Sequence, residues 1–204
     1  WASKSVLMAA YSYYSQNYYS DAIYEINRYL KKYPNDQNLV YARYLKAMCY
    51  FEQVEDEKKN VASIDGAKKE LEYIVKNYPN TDFALDSKYK LDLINSILAS
   101  KEIYLGRYYM QRKKWIASIN RFKFVINNYD TTVYAPEALH RLVELYYILG
   151  YIEESKKYAN ILGYNYKSDR WYKETYKIYN KNYIDPIKNI KEKKSILEKF
   201  KTLF

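Results

Sequence analysis

Few residues of this chain have side chains that could carry out catalysis. The single histidine, His140, lies in the segment Glu137-Ala-Leu-His140-Arg141 without a paired nucleophile, so a surface or helix-packing role is expected. The single cysteine, Cys49, stands beside Met48 and Tyr50, which predicts a buried, inert thiol. The sequence has no glycine-rich phosphate loop, no histidine–cysteine ligand cluster and no nucleophile elbow. We therefore expect a protein that is not an enzyme and that needs neither a metal nor a cofactor.

The composition favours a helical protein with a basic surface. The 204 residues include only four glycines and four prolines, which favours nearly uninterrupted helix. The net charge of +10 would suit an acidic partner, a membrane surface or nucleic acid. The lysines are spread along the chain, however, as on the solvated faces of amphipathic helices. The 29 tyrosines could stack on bases, but helix packing and drift toward A/T-rich codons explain them better, so no nucleic acid is expected.

The sequence contains no segment that would span a membrane or direct export. No stretch approaches the roughly 20 apolar residues that a membrane-spanning helix needs. The chain opens at Trp1, without methionine, signal peptide or lipidation cysteine, which predicts a processed or trimmed piece.

Two small residues at a nearly fixed spacing recur four times along the chain. The pairs are Ala10 with Ala22, Ala47 with Ala67, Gly106 with Ser118, and, less regularly, Val143 with Ser155. The spacing is 12 positions in three pairs and 20 in the second, and a tyrosine follows the first member by three. This is the pattern of the tetratricopeptide repeat, a helix–turn–helix of about 34 residues. A small residue midway along each helix lets the partner backbone approach closely.

The predicted fold is all-α: a right-handed superhelix of tetratricopeptide repeats with a C-terminal capping helix. The predicted units are residues 3–36, 38–80, 82–131 and 134–167, followed by a basic helical extension over 169–204. Between Asp82 and Arg112 there is no proline and only one glycine, so one elongated first helix is expected in the third repeat. A break near Ser96 to Ser100 is the alternative.

Three segments outside the regular pattern carry their own predictions. Glu52 to Asn60 is a charged run without periodicity and is predicted to be a solvated loop. Asp65 is a candidate N-cap of the helix that follows, and the repeat pattern ends weakly at Lys167. The segment from Ile187 to Phe204 is a basic amphipathic helix, which favours capping of the last repeat, with docking on lipid or a partner helix second.

Apolar residues occupy the positions of the first helices that would line a groove. They are Tyr11, Tyr14, Tyr41, Tyr44, Met48 and Phe51. Such a groove would hold an extended apolar or aromatic peptide. The equally weighted alternative is that these side chains pack on neighbouring repeats or on a segment that precedes the chain.

Three features together resemble one particular family. The second repeat carries a polar insertion before Ala67, and the third has an elongated helix that runs into Ile103-Tyr104-Leu105-Gly106-Arg107-Tyr108-Tyr109. Then follows Lys114-Trp115-Ile116-Ala117-Ser118-Ile119-Asn120-Arg121-Phe122, with a tryptophan ahead of an Asn-Arg pair. In this combination the chain resembles, over residues 1–166, the BamD (ComL/YfiO) lipoproteins of the outer-membrane β-barrel assembly machinery.

That resemblance implies a scaffold subunit on the periplasmic face of the Gram-negative outer membrane. It implies binding to the POTRA region of BamA, with Arg121, Asn120 and Trp115 at the contact, and further contact with lipoproteins such as BamE. It also implies that the aromatic groove recognises the C-terminal signal of unfolded β-barrel proteins. The family's N-terminal lipid anchor is absent from this sequence. The alternatives are another periplasmic repeat adaptor, as in cell division, and a helical-repeat RNA-binding protein.

Overall fold

The computed structural model describes residues 1–54, 61–167 and 170–180. Within these residues the protein consists of nine α-helices and contains no strand, which confirms the all-α prediction and fits a tetratricopeptide-like helical repeat. The helices are α1 (Ala2–Ser15), α2 (Tyr19–Lys32), α3 (Leu39–Phe51), α4 (Val61–Asn77), α5 (Asp82–Gln111), α6 (Trp115–Asn128), α7 (Ala135–Ile148), α8 (Ile152–Asn165) and α9 (Arg170–Tyr179).

The described residues form two compact units, and the boundary falls within α5, after Lys101. In the first unit, α1 packs against α2, α2 against α3, and α3 against α4. In the second unit, α6 packs against α7, α7 against α8, and both α7 and α8 against α9. Helices that are neighbours in the chain are thus neighbours in space, as expected for helix–turn–helix units.

The recurring small residues lie where paired helices cross. The hydroxyl of Ser118 donates a hydrogen bond of 2.8 Å to the carbonyl oxygen of Gly106. The equivalent bond in the next helix pair joins Ser155 to the carbonyl oxygen of Val143 at 2.9 Å. In the first unit the corresponding residues are alanines, and Ala10 and its partners are fully buried. The close approach that the 12-residue spacing indicates is therefore present, and in two helix pairs a side-chain hydrogen bond reinforces it.

Helices α2, α6 and α8 each end at a tyrosine whose backbone has left the helical conformation. These tyrosines are Tyr33 at φ −128°, Tyr129 at −139° and Tyr166 at −135°. Pro34 disfavours the helical conformation for the residue before it, but no proline follows the other two tyrosines. The predicted weak ending at Lys167 overlooked Tyr166, which follows Ser155 by the same 11 positions that separate Tyr33 from Ala22.

The elongated helix of the third repeat is confirmed. Helix α5 has 30 residues without a break, so the alternative of an interruption near Ser96 to Ser100 is wrong. Thr81 caps the start of α5: its hydroxyl accepts a hydrogen bond from the backbone N–H of Ala84 at 3.2 Å.

The start of α4 differs from the prediction, and parts of two other predicted segments lie outside the described residues. The prediction that Asp65 caps α4 is wrong, because α4 begins at Val61 and Asp65 is exposed within it. Burial of Ile64 ahead of Ala67 extends the apolar face backward and so extends the helix. Of the predicted loop, residues 55–60 lie outside the described part of the chain, as does the predicted tail helix from Ile187 to Phe204.

The crossing of α5 and α6 gives a direct test of this packing. A Cβ at Gly106 would lie 2.5 Å from Cε1 of Phe122, whose side chain is fully buried. We expect Gly106→Ala to lower the free energy of unfolding by about 1–3 kcal/mol, since the buried ring has no space to move into. Urea unfolding followed by circular dichroism measures this loss.

Gly66→Ala is the matched control in a helix interior. Its Cβ would lie 2.9 Å from the Tyr50 ring, which is only half-buried and can shift. Because alanine favours helix over glycine by about 1 kcal/mol, this variant should be close to neutral. Equal losses in the two variants would contradict the packing explanation.

Candidate functional site

Arg121 lies on α6 with 41% of its side chain exposed. Its Nη1 donates a hydrogen bond of 3.1 Å to Oε2 of Glu102 on α5, whose side chain is 15% exposed. A guanidinium has five N–H donors. Among the described residues, Glu102 is the only hydrogen-bond partner of Arg121. Arg121 therefore keeps most of its donors available for an external acceptor.

A pocket of about 290 Å³ adjoins this guanidinium, and we call it the arginine pocket. It is lined by Tyr109, Ala117, Asn120, Arg121 and Phe124. The ring of Phe124 is 45% exposed and packs edge-on against Tyr129, with 5.9 Å between the ring centroids. The structure thus places the predicted residues Asn120 and Arg121 together, and it adds two aromatic walls that sequence reasoning missed.

The helix crossing determines where the arginine pocket forms. Glu102, Gly106 and Tyr109 are spaced by four and three residues, so they share one face of α5. The bond between Ser118 and Gly106 sets α6 antiparallel against that face. Arg121, one turn beyond Ser118, therefore meets Glu102, one turn before Gly106. The positions of the small residues in the sequence indicate this helix crossing, but Glu102 was not predicted to be part of the site.

Trp115 lies in a different place from Arg121. It lines a second pocket of about 330 Å³, together with Arg107, Met110, Gln111, Arg141 and Ile148. Arg107 donates both from Nε, at 2.6 Å, and from Nη2 to the two carboxylate oxygens of the buried Glu137 on α7. The three predicted partner-binding residues are therefore divided between two pockets of the second unit.

Two of the six predicted groove residues line an accessible pocket in the first unit. Tyr11 and Tyr41 border a space of about 290 Å³ between α1 and the start of α3. The remaining lining residues are Lys4, Leu7, Met8 and Asn38. Tyr11 is 52% exposed, and the pocket surface is mainly apolar with one lysine at its edge. This pocket has the character expected of a site for an aromatic side chain.

The other four residues of the predicted groove pack mainly within the first unit. Tyr44 donates its hydroxyl to Oδ2 of Asp86 on α5 at 2.6 Å, and its ring lies 5.1 Å from that of Phe83. Burial, followed by the Asp86 hydrogen bond, raises the pKa of Tyr44, so the phenol remains a neutral donor. Met48 is 6% exposed and belongs to the core.

Tyr14 and Phe51 are partly buried members of the same packing. Tyr14 contacts both core clusters of the first unit, and burial raises its pKa. The ring of Phe51 has Lys90 Nζ 5.1 Å from its centroid. The alternative that these side chains pack on neighbouring helices thus describes Tyr14, Tyr44, Met48 and Phe51 better than Tyr11 and Tyr41.

His140 joins two helices of the second unit. Its Nδ1 lies 2.8 Å from Oγ1 of Thr175 on α9, and its Nε2 lies 3.4 Å from Oε1 of Glu144. A histidine beside a hydroxyl could suggest a base and a nucleophile. Thr175 is only 3% exposed and His140 4%, so both side chains are buried where α7 meets α9. The pair packs α7 against α9.

Comparison with known proteins agrees with this architecture. The sequence profile of a family described as YfiO, outer membrane lipoprotein, matches residues 1–162. The chain belongs to this family. It is 42% identical to outer membrane protein assembly factor BamD of Caulobacter vibrioides, over 91% of the chain and 61% of that protein. It is 41% identical to BamD of Rickettsia prowazekii, over 87% of the chain and 70% of that protein.

Another relative shows the same relationship at lower identity. The chain is 30% identical to BamD of Neisseria gonorrhoeae, over 72% of the chain and 58% of that protein. The matches thus span 58% to 70% of the length of these relatives.

None of the described helices is long and apolar enough to cross a membrane. The described residues also include no group of three or more histidine, cysteine, aspartate or glutamate side chains that could hold a metal ion.

The single thiol gives a test of burial at α3. Cys49 is fully buried, and burial raises its pKa to about 12. Since the thiolate is the reactive form, we expect the native protein to resist a thiol-specific reagent at pH 8, while the protein in denaturant reacts fully. Fast modification of the native protein would show that Cys49 is accessible.

Proposed function

We propose that this chain is the scaffold part of a β-barrel assembly factor, joining the POTRA region of BamA to unfolded outer-membrane proteins. Membership of the YfiO family supports the general role, since its curated relatives are named outer membrane protein assembly factors. The family description as lipoprotein supports a place at the periplasmic face of the outer membrane. In this proposal the four predicted repeats present three separate binding surfaces and catalyse no reaction.

The arginine pocket is the proposed contact with BamA. The single observation that carries this assignment is the half-exposed guanidinium of Arg121, which is held by one carboxylate while its other donors remain available. An arginine fork binds a partner carboxylate through two parallel hydrogen bonds, a geometry that lysine does not offer. Asn120, exposed in the same pocket, adds an amide that can both donate and accept.

The pocket of Tyr11 and Tyr41 is the proposed contact with unfolded barrel proteins. Its apolar lining suits an aromatic side chain, and the ammonium group of Lys4 at its edge suits a chain-terminal carboxylate. A peptide that ends in an aromatic residue offers both groups together. The second pocket, around Trp115, is available to a further lipoprotein such as BamE.

Charge reversal at Arg121 tests the BamA contact. We expect Arg121→Glu to weaken binding to the POTRA region of the cognate BamA by at least about tenfold. The BamA carboxylate that Arg121 is proposed to bind would then face the carboxylate of the new glutamate. Isothermal titration measures the affinity, and the circular dichroism spectrum should stay unchanged. Arg28→Glu, an exposed reversal on α2 of the other unit, is the control. Equal affinities for Arg121→Glu and Arg28→Glu would remove Arg121 from the interface.

Truncation of Tyr11 tests the substrate contact. We expect Tyr11→Ser to weaken binding of a labelled peptide with a C-terminal phenylalanine by about fivefold or more, as is typical for a tyrosine at the centre of an interface. Fluorescence anisotropy measures the affinity. Tyr24→Ser on α2, where the side chain is 67% exposed and outside the pocket, should bind as the unaltered protein does. A loss of the same size at Tyr24 would indicate binding without a defined site.

A further inference from the structure

The turn between α5 and α6 carries three consecutive cations, and we call it the basic turn. Arg112, Lys113 and Lys114 are all exposed. Arg112 lies against the ring of Tyr108, with 3.9 Å between the guanidinium carbon and the ring centroid. Among the described residues, none of the three cations forms a salt bridge. Their charge is therefore presented to whatever approaches this end of the second unit.

The backbone of the basic turn is shared with two other turns of the structure. The N–H groups of Tyr18, Lys114 and Tyr151 each donate to the carbonyl oxygen five positions earlier, at 2.9 to 3.0 Å. The residue before each donor has a positive φ: 64° at Asn17, 58° at Lys113 and 81° at Gly150. This helix ending favours glycine and, after it, asparagine. Lysine is poorly suited to this backbone conformation, so the turn itself does not explain Lys113.

The local structure does not explain Lys114 either. It is the N-cap residue of α6, and its side chain makes no cap hydrogen bond. Asparagine, serine and aspartate are preferred at an N-cap, and a cation there opposes the helix dipole. Two neighbouring positions thus carry lysine where folding favours other residues. Such a local cost points to a role for the two charges in binding.

Large apolar side chains are exposed beside the basic turn. Ile116, in the first turn of α6, is 70% exposed, and Ile148 and Tyr151, at the turn between α7 and α8, are 60% and 62% exposed. Trp115 and Ile148 line one pocket, so the two turns lie side by side. Exposed apolar and aromatic side chains beside lysine and arginine are typical of surfaces that lie on a lipid bilayer.

The carboxylates at the neighbouring turn do not cancel the charge of the basic turn. Glu153 and Glu154 lie in the first turn of α8. Lys156 pairs with Glu153 at 2.9 Å, and Lys157 follows it in the same helix. These two lysines offset the two glutamates. The three cations of the basic turn therefore remain in excess and favour an anionic partner.

We propose that the basic turn, together with Ile116, Ile148 and Tyr151, contacts the surface of an anionic lipid bilayer. The cations attract the phosphate groups of the lipids, and the apolar side chains enter the interfacial layer. Charge complementarity selects an anionic partner, and membership of a family of outer membrane lipoproteins places a bilayer beside the protein. This contact is separate from a lipid anchor, and it goes beyond the proposed function, which does not require it.

Replacing both lysines by asparagine tests the charged part of the contact. The vesicles contain two parts of phosphatidylcholine to one part of phosphatidylglycerol, and flotation measures binding. We expect Lys113→Asn/Lys114→Asn to weaken binding by at least about tenfold, since each lysine near an anionic surface contributes on the order of fivefold. The midpoint of urea unfolding should stay equal or rise, because asparagine suits both positions.

A matched pair of lysines on the other unit is the control. Lys31→Gln/Lys32→Gln removes the same charge from exposed positions in the last turn of α2 and should bind as the unaltered protein does. Equal losses in the two double variants would show attraction by the overall charge alone and would overturn the inference. Equal binding of the unaltered protein to vesicles of pure phosphatidylcholine would overturn it as well.

Ile116→Ser tests the apolar part without changing the charge. We expect it to weaken vesicle binding about threefold or more, because the isoleucine side chain no longer enters the interfacial layer. Val133→Ser, between α6 and α7 of the same unit, is the control, since Val133 is 79% exposed and lies outside the proposed contact. Normal binding by Ile116→Ser would remove the apolar side chain from the contact.

Two further outcomes would assign the lysines or the vesicle binding to something else. If Lys193→Gln/Lys194→Gln, in the lysine-rich segment outside the described residues, abolishes vesicle binding while Lys113→Asn/Lys114→Asn binds normally, the inference is wrong. It is also wrong if the variant of the basic turn keeps vesicle binding but loses the POTRA region of BamA. The vesicle assay contains neither BamA nor a substrate peptide, so failure of the proposed function would leave its result unchanged.

Discussion

The close crossing of two helices at small residues is the constraint on which the rest of this structure depends. At Gly106 the Phe122 ring occupies the space that any Cβ would need, and the Ser118 hydroxyl binds the glycine carbonyl oxygen. The hydrogen bond satisfies a polar group that burial would otherwise leave costly. Every contact that extends from α5 to α6 inherits this register, including the ion pair of Arg121 with Glu102.

The sequence predicts the parts of the fold that depend on local spacing. The 12-residue interval between Gly106 and Ser118 places the crossing, and the absence of breakers between Asp82 and Arg112 predicts α5. Spacing fails where tertiary burial overrides a local signal: Asp65 looks like a cap, but burial of Ile64 carries α4 past it. Helix boundaries depend on such packing more than the repeat itself does.

The candidate site was predictable only in part, for a related reason. Arg121 and Asn120 follow from the family resemblance, and the structure places both at one pocket. Glu102 lies 19 positions away, and only the antiparallel crossing brings its carboxylate to the guanidinium. The sequence pattern of a groove on a helix also does not determine whether a given side chain faces solvent or a neighbouring helix. Tyr11 and Met48 fit the same pattern, yet one is 52% exposed and the other 6%.

Buried carboxylates hold two other arginines of the described residues in ion pairs. In the first unit the buried Glu70 accepts from Arg43 and Lys46, both at 2.8 Å. In the second unit the buried Glu137 accepts both donors of Arg107. These carboxylates need their cations, because a buried charge without a partner is strongly destabilising.

Arg121 differs from these arginines in degree. Its carboxylate partner, Glu102, takes one donor and is somewhat more exposed than Glu70 or Glu137. Glu102 is still largely buried, so part of the role of Arg121 is to neutralise this carboxylate. The donors that Glu102 leaves open belong to a side chain that lines the arginine pocket, and in the proposed function these donors bind a carboxylate of the partner.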